Sequence, residues 1–515
     1  MTVSSDWLKK WSRFSPKSVA FKDADSGREL TYGNLYFSSC RLATELESRF
    51  GVSPGDRVAV LATNELEYPV LFFALQRLGA MMVPVNFRLS AREISHVLGD
   101  SEAKLLVSQS QFDSVLASAT GVPSQRWAFD GEASLVSWLA KENEIFALEK
   151  LGEKLRFENL PWEKSFSGTE DSECMVLYTS GTTGAPKGAL ITNRMLLWNS
   201  INTTLRLNLN QSDVTLSFLP FFHTGGWNVL LTPFVHRGAK TIIMKKFDAT
   251  RVLELCESER ATILFGVPTT MAMMTASPGF ETTDLSSLRY AIVGGEPMAI
   301  ESIHTWQRKG VAIRQGFGLT EFGPNVFSLN EEDAIRKIGS IGFANFYIDV
   351  RVVDDDGRDV PQGHVGELVL RGPVCTPGYW KNPEATANAI KDGWFYTGDL
   401  VRADDEGYFF VAGRKKDMFI SGGENVYPIE VEQCLSAHPS VREVAVVGIA
   451  DDKWGEVGKA FISLHAGANA SVDEILGYCQ QNLAKFKIPK HVAFLPELPK
   501  GDSGKILKRS LRDGN

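Results

Sequence analysis

From residue 57 onward the chain sets short, almost unbroken apolar runs between stretches in which apolar residues return every three or four positions. The runs at 57–62, 81–85 and 104–108 read as strands, and the segment 68–78, closed by Gly79, reads as a helix. Ser90 followed by Glu93 is a capping-box pattern that starts another helix. Such alternation predicts a parallel α/β layer, because strands covered by helices on both faces have no polar side to show. Further apolar runs at 214–219, 240–244, 262–265, 290–293 and 311–314 predict a second layer. Past residue 340 the texture changes to glycine-punctuated alternation, with strands at 349–353 and 366–371 and the turn Asp354-Asp355-Asp356-Gly357 after the first. This reads as a small β subdomain. The C-terminal part alternates again: a helix with Pro428 in its first turn, strands at 443–449 and 459–465, and a helix capped by Ser471 with Glu474. The expected fold is α/β, with a large N-terminal domain over 1–413 built of two doubly wound subdomains and the small β subdomain. A separate α+β lid would occupy 414–515.

A chain of 515 residues with 43% hydrophobic content can bury several cores but not one large one. The formal net charge of -8, without a basic run, argues against nucleic acid as the main partner. Cys40, Cys174, Cys256, Cys375, Cys434 and Cys479 show neither CxxC nor zinc spacing, so reduced, buried thiols in a cytoplasmic protein are expected. The N-terminus lacks the basic and apolar regions of a secretory signal. The longest apolar tract, 216–235, is interrupted by Pro220, His223, Gly225, Gly226, Asn228 and Pro233, and no transmembrane segment is expected.

The chemistry starts at residues 178–188, Tyr-Thr-Ser-Gly-Thr-Thr-Gly-Ala-Pro-Lys-Gly. Its glycines allow several backbone N–H groups to face one anion, Thr179, Ser180, Thr182 and Thr183 add donors, and Lys187 adds charge. That composition suits a polyphosphate. It is not a P-loop, since Ala185 and Pro186 separate Gly184 from Lys187, and Gly188 rather than Ser or Thr follows. Downstream come Gly294-Gly295-Glu296-Pro297 after a strand, Gln315-Gly316-Phe317-Gly318-Leu319-Thr320-Glu321, Tyr396-Thr397-Gly398-Asp399, Gly413-Arg414, Ser421-Gly422-Gly423-Glu424-Asn425, and a lysine, Lys505, on a Gly-flanked loop. Each of these alone also fits an ordinary turn, or for Lys416 and Lys505 a surface lysine. Their order is what discriminates.

In that order, across nearly the whole chain, the motifs resemble the acyl-adenylating superfamily of acyl- and aryl-CoA synthetases, peptide-synthetase adenylation domains and firefly luciferase. The resemblance implies that Thr179, Ser180, Gly181, Thr182, Thr183, Gly184 and Lys187 hold the ATP phosphates. It places Gly294, Gly295 and Glu296 beside adenine and the acyl group, within a motif set that also includes Gln315, Gly316 and Gly318. Phe317 would stack on adenine where the family often has tyrosine, Thr320 would touch phosphate, and Glu321 would coordinate Mg2+. Asp399 would bind ribose with help from Arg414, Lys416 would be the lid hinge, and Gly422 and Gly423 would line the coenzyme A tunnel. Lys505 would be the catalytic lysine, suited to the charge that builds between the α-phosphate and an attacking carboxylate. His223 would gate the carboxylate pocket, with Trp227, Phe265 and Val267 as candidate walls for the acyl group.

The implied activity is ligation of a carboxylic acid to coenzyme A through acyl-AMP, with ATP and Mg2+. The apolar texture at 223–235, without an evident fixed cation, favours a medium- or long-chain fatty acid or an aryl acid. A carrier-protein-loading or light-producing relative is the first rival; no carrier domain is expected after Asn515, and Ile420 stands where luciferases have lysine. A catalytically idle binding protein is the second, against which the intact Lys187, Glu321, Asp399, Arg414 and Lys505 speak. A homodimer is left open.

Overall fold

The run expected at 290–293 is the strand Tyr290–Val293, buried at every position. Flanked by parallel neighbours and covered by helices, it has no solvent-facing side, which is why its sequence shows no alternation. The structure, a computed structural model, describes residues 6–149, 163–179, 186–296, 298–501 and 506–513. The chain divides into two units, Met1–Ile338 with Ala344–Asp349 and Arg371–Gly393, and Gly339–Phe343 with Val350–Leu370 and Trp394–Asn515.

Among the described residues the first unit holds three sheets. One runs in the order Gln125–Ala128, Leu105–Ser108, Arg57–Leu61, Met81–Pro84, Glu173–Thr179, Lys187–Thr192, and all neighbours are parallel except the last pair. Helices Glu67–Leu78 and Ala91–Ser101 make its crossovers. Gly79 ends the first at φ 72. The second helix carries the full capping box, with Ser90 N donating to Glu93 at 2.9 Å. A second sheet orders Glu29–Thr31, Val19–Asp23, Lys240–Ile243 and Val214–Ser217. The third orders Ile263–Gly266, Tyr290–Val293, Ala312–Phe317 and Phe327–Ser328, the first three parallel. The strand expected at 311–314 extends to Phe317 because Gly316 and Phe317 pair antiparallel with Ser328 and Phe327.

The 216–235 tract contributes the short helices Thr224–Trp227 and Leu231–Arg237. Among the described residues no helix is long and apolar enough to cross a membrane. All six cysteines are free, and Cys40, Cys174, Cys256 and Cys479 are buried.

The second unit contains the predicted strands Asp349–Val353 and Gly366–Arg371 in a sheet with Trp394–Ala403 and Phe409–Arg414, apart from end residues assigned to the first unit. Its other sheet orders Glu424–Val426, Phe419–Ser421, Gly455–Leu464 and Val441–Asp451, with His491–Phe494 added parallel to Gly455–Leu464. Helix Pro428–Ser436 starts with proline at its first turn, and Val472–Asn482 opens on the Ser471–Glu474 box. The strands expected at 443–449 and 459–465 run together as a long hairpin closing at Asp451 and Gly455, a length set by pairing rather than by apolar content.

Candidate active site

Three loops leave the carboxyl ends of the parallel strands Ile263–Gly266, Tyr290–Val293 and Ala312–Phe317, the place where open α/β sheets hold ligands. They meet closely. Gly294 N donates to Gly266 O at 3.4 Å, and a Cβ at Gly294 would stand 3.4 Å from Gly316 O and 3.8 Å from the Phe265 ring. Gly295 has φ 88, a conformation that favours glycine. Gly318 is the tightest point, where a Cβ would lie 1.9 Å from Pro324 O. Beside these backbones, the buried Gln315 accepts at Oε1 from Met298 N at 3.3 Å, while its Nε2 has no acceptor among the described residues. A buried amide donor without a partner fits a polar ligand edge such as a purine ring. Phe317 is half-buried, edge-on to Phe327 at 6.0 Å.

Thr320 and Glu321 form the short helix Thr320–Phe322. Glu321 Oε1 accepts from Tyr379 Oη at 2.9 Å, and Glu321 O accepts from Thr376 N at 2.8 Å. Lys187 Nζ lies 5.6 Å from the centre of the same Tyr379 ring. Lys187 is also the register partner of Thr179, so these two residues open and close the segment between the paired strands. Gly188 O accepts from Trp380 N at 2.7 Å, and Tyr178 Oη donates to Asp100 at 2.5 Å. Burial, reinforced by that carboxylate, pushes the Tyr178 phenol up. Lys187 and Glu321, which the resemblance assigns to the ATP phosphates and to Mg2+, are thus tied to one aromatic side chain. Ser180, Gly181, Thr182, Thr183, Gly184 and Lys505 lie outside the described residues.

Among the described residues no three His, Cys, Asp or Glu side chains cluster as a metal site. A single hard oxygen donor, Glu321, fits Mg2+ that completes its shell with phosphate oxygens and water rather than a cation caged by protein.

His223 precedes the helix Thr224–Trp227, with its ring 4.6 Å from that of Phe222. Phe265 and Val267 are half-buried at the mouth of their strand. A narrow void behind them is lined by Leu219, Gly225, Gly226, Leu230 and Phe265, among other uncharged residues. Trp227 instead lies fully buried against Tyr68, Phe72 and Phe221, donating from Nε1 to Phe221 O at 2.5 Å.

The second unit brings Asp399 and Arg414 together, Nε to Oδ1 at 2.7 Å, with Asp399 only 4% exposed. Glu367 supports this turn by accepting from Gly398 N at 3.1 Å and Lys415 Nζ at 2.9 Å. Lys416 follows in the turn after strand Phe409–Arg414. Although the residue is exposed, desolvation of its ammonium, opposed by Asp417 and reinforced by Arg414 and Arg512, lowers its pKa. Gly422 and Gly423, at φ 61 and 89, form the two-residue turn joining Phe419–Ser421 to Glu424–Val426. Gly422 N donates to Trp454 O at 2.9 Å.

Tyr379, Thr376 and Glu367 are absent from the sequence-based site. The signal for the first two is a Gly-Tyr-Trp run just after Thr376 and Pro377, an aromatic pair where a plain turn would be polar.

With this geometry in hand, residues 8–380 match the AMP-binding enzyme family and residues 430–505 match the AMP-binding enzyme C-terminal domain. The chain belongs to the AMP-binding enzyme family. The enzyme is similar to feruloyl-CoA synthase from Amycolatopsis sp, 39% identical over 511 residues that cover 98% of each chain. It is also similar to indoleacetate–CoA ligase from Aromatoleum aromaticum, 37% identical over 515 residues, 99% of this chain and 97% of the other. Among solved structures, the anthranilate CoA ligase AuaEII in complex with anthranoyl-AMP superposes with a TM-score of 0.88 at 28% identity, covering 100% of this chain and 97% of that one. This superfamily membership is the one the ordered motifs pointed to.

Proposed function

We propose that this acyl-CoA synthetase activates an aromatic or similarly bulky apolar carboxylic acid with ATP and transfers it to coenzyme A. The observation that carries the reading is the meeting of the Gly294 backbone, the Gln315 amide, Phe317 and Glu321 at neighbouring strand ends, with Lys187 and Glu321 both on Tyr379. The aromatic acids named for the similar ligases support an aryl acid.

In the first step a carboxylate oxygen bonds to the ATP α-phosphorus and the bond to the bridging oxygen breaks, releasing pyrophosphate and leaving acyl-AMP. In the second the coenzyme A thiol, losing its proton, bonds to the acyl carbon and AMP leaves. Lys187 and residues 179–184 would grip the β- and γ-phosphates, Gln315 and Phe317 the base, and Asp399 with Arg414 the ribose. Mg2+, held by Glu321, would supply charge neutralisation on the phosphates. Lys505 would bridge the α-phosphate and carboxylate, and His223 would gate the carboxylate pocket, which Phe265 and Val267 line and Trp227 braces. The lid, 414–515, would turn about Lys416 to present Gly422 and Gly423 to coenzyme A. No side-chain nucleophile is required, so rate enhancement comes from positioning and charge.

A panel of cinnamic, arylacetic, benzoic and fatty acids, assayed with ATP and coenzyme A for AMP release, tests the reading. Turnover should be fastest with an aromatic member. A clear preference for a dicarboxylate would overturn the substrate class.

A further inference from the structure

Residues 376–380 lace together two elements that the reading above assigns to phosphate. Thr376 N donates to Glu321 O at 2.8 Å and Thr376 Oγ1 donates to Leu190 O at 2.7 Å. Leu190 N donates to Gly378 O at 3.1 Å and Trp380 N donates to Gly188 O at 2.7 Å. The strap is fixed from behind as well, where Tyr379 N donates to Thr386 Oγ1 at 3.0 Å and the Trp380 indole donates to Asp100 O at 3.0 Å. Tyr379 is therefore held rigidly between Glu321 and Lys187, 2.9 Å from the carboxylate oxygen and 5.6 Å, ring centre to ammonium, from the lysine.

The chemistry of a phenol suits this place. Its hydroxyl donates to Glu321 Oε1, which orients the carboxylate and directs the second oxygen. Its ring face attracts the Lys187 ammonium without neutralising it, as a carboxylate partner would. We propose that Tyr379 is a positioning residue that presets Glu321 for Mg2+ and Lys187 for the ATP phosphates. This rests on the ligase reading, and it assigns to the strap a role in metal-nucleotide binding rather than in the fold alone.

The test uses the full chain, Tyr379→Phe and Tyr379→Leu. Mg2+ is titrated into ATP–pyrophosphate exchange and, independently of turnover, into calorimetric binding of ATP, with AMP binding in EDTA as the reference. Tyr379→Phe should raise the Mg2+ concentration needed for half-saturation about ten- to a hundredfold, the range for one hydrogen bond to a charged group, with AMP affinity unchanged. Tyr379→Leu should additionally raise the ATP KM about two- to fivefold through loss of the ring facing Lys187. If Tyr379→Phe titrates Mg2+ as the unaltered chain does, or loses AMP and Mg2+-ATP binding equally, the proposal is overturned. An unaltered chain that neither binds Mg2+-ATP nor exchanges pyrophosphate would sink the ligase reading, and the proposal with it, a result distinct from either variant outcome.

Discussion

Asp399 and Arg414 face each other as register partners on the strands Trp394–Ala403 and Phe409–Arg414, and the arginine Nε lies 2.7 Å from the buried carboxylate. One partner is sealed from water and the other is 46% exposed at its side chain, so the two are unequal in consequence. Asp399→Asn keeps the volume but removes the charge that the proposed function assigns to the ribose hydroxyls. It should raise the ATP KM about ten- to a hundredfold, the range for hydrogen bonds to a charged group. Arg414→Gln should lower thermal stability by about 1–3 kcal/mol, because it leaves the buried Asp399 carboxylate without its cation. Steady-state kinetics with thermal melts separate the two effects.

Gly318 and Gly477 make opposite predictions for the same substitution. An alanine Cβ at 318 would stand 1.9 Å from Pro324 O, so the backbone that carries Thr320 and Glu321 must move. Gly318→Ala should lower adenylation on the order of a hundredfold, as displacement of a reacting geometry by about 1 Å does. Gly477 sits inside helix Val472–Asn482 with open space where its Cβ would go. Gly477→Ala should stabilise the protein by about 0.4–1 kcal/mol and leave activity alone.

His236 sets an acid limit to stability. Its ring lies against Trp7 at 4.5 Å with Nδ1 2.7 Å from Ser200 Oγ, and burial, with Arg237 adding to it, pushes its pKa down to about 4 from 6.5. Between those values the unfolded chain binds a proton that the folded chain refuses. Stability contributed by the neutral ring is present above pH 6.5 and falls as the pH drops toward 4, by about 2 kcal/mol at pH 5. Denaturant melts from pH 7.5 to 5 should show that slope. His236→Asn should flatten it, and an unchanged slope in the variant would assign the acid sensitivity elsewhere.

How much of this could be read beforehand depended on whether the signal was local. Tyr290–Val293 was legible to the residue because a doubly covered strand is apolar throughout, and the Ser90 and Ser471 helix starts were legible because a capping box lies within one turn. Gly422 and Gly423 were legible as a Gly-rich edge, while their φ values make them a tight hairpin turn. The Tyr379–Glu321 hydrogen bond joins residues 58 positions apart, and no periodicity in either segment encodes it. Trp227 looked like a pocket wall by its place in an apolar run; only packing shows that its indole fills the core beside Tyr68 and Phe72. The pairing of Asp399 with Arg414 was available through resemblance, since sequence spacing alone does not reveal a strand register.

Product analysis with ATP labelled at the α-phosphate bears most directly on the account. Purified chain given labelled ATP, Mg2+ and an aromatic acid should convert label to acyl-AMP, and addition of coenzyme A should then release labelled AMP with one acyl-CoA per AMP. Label appearing in ADP, or remaining in ATP with every acid of the panel, would contradict it.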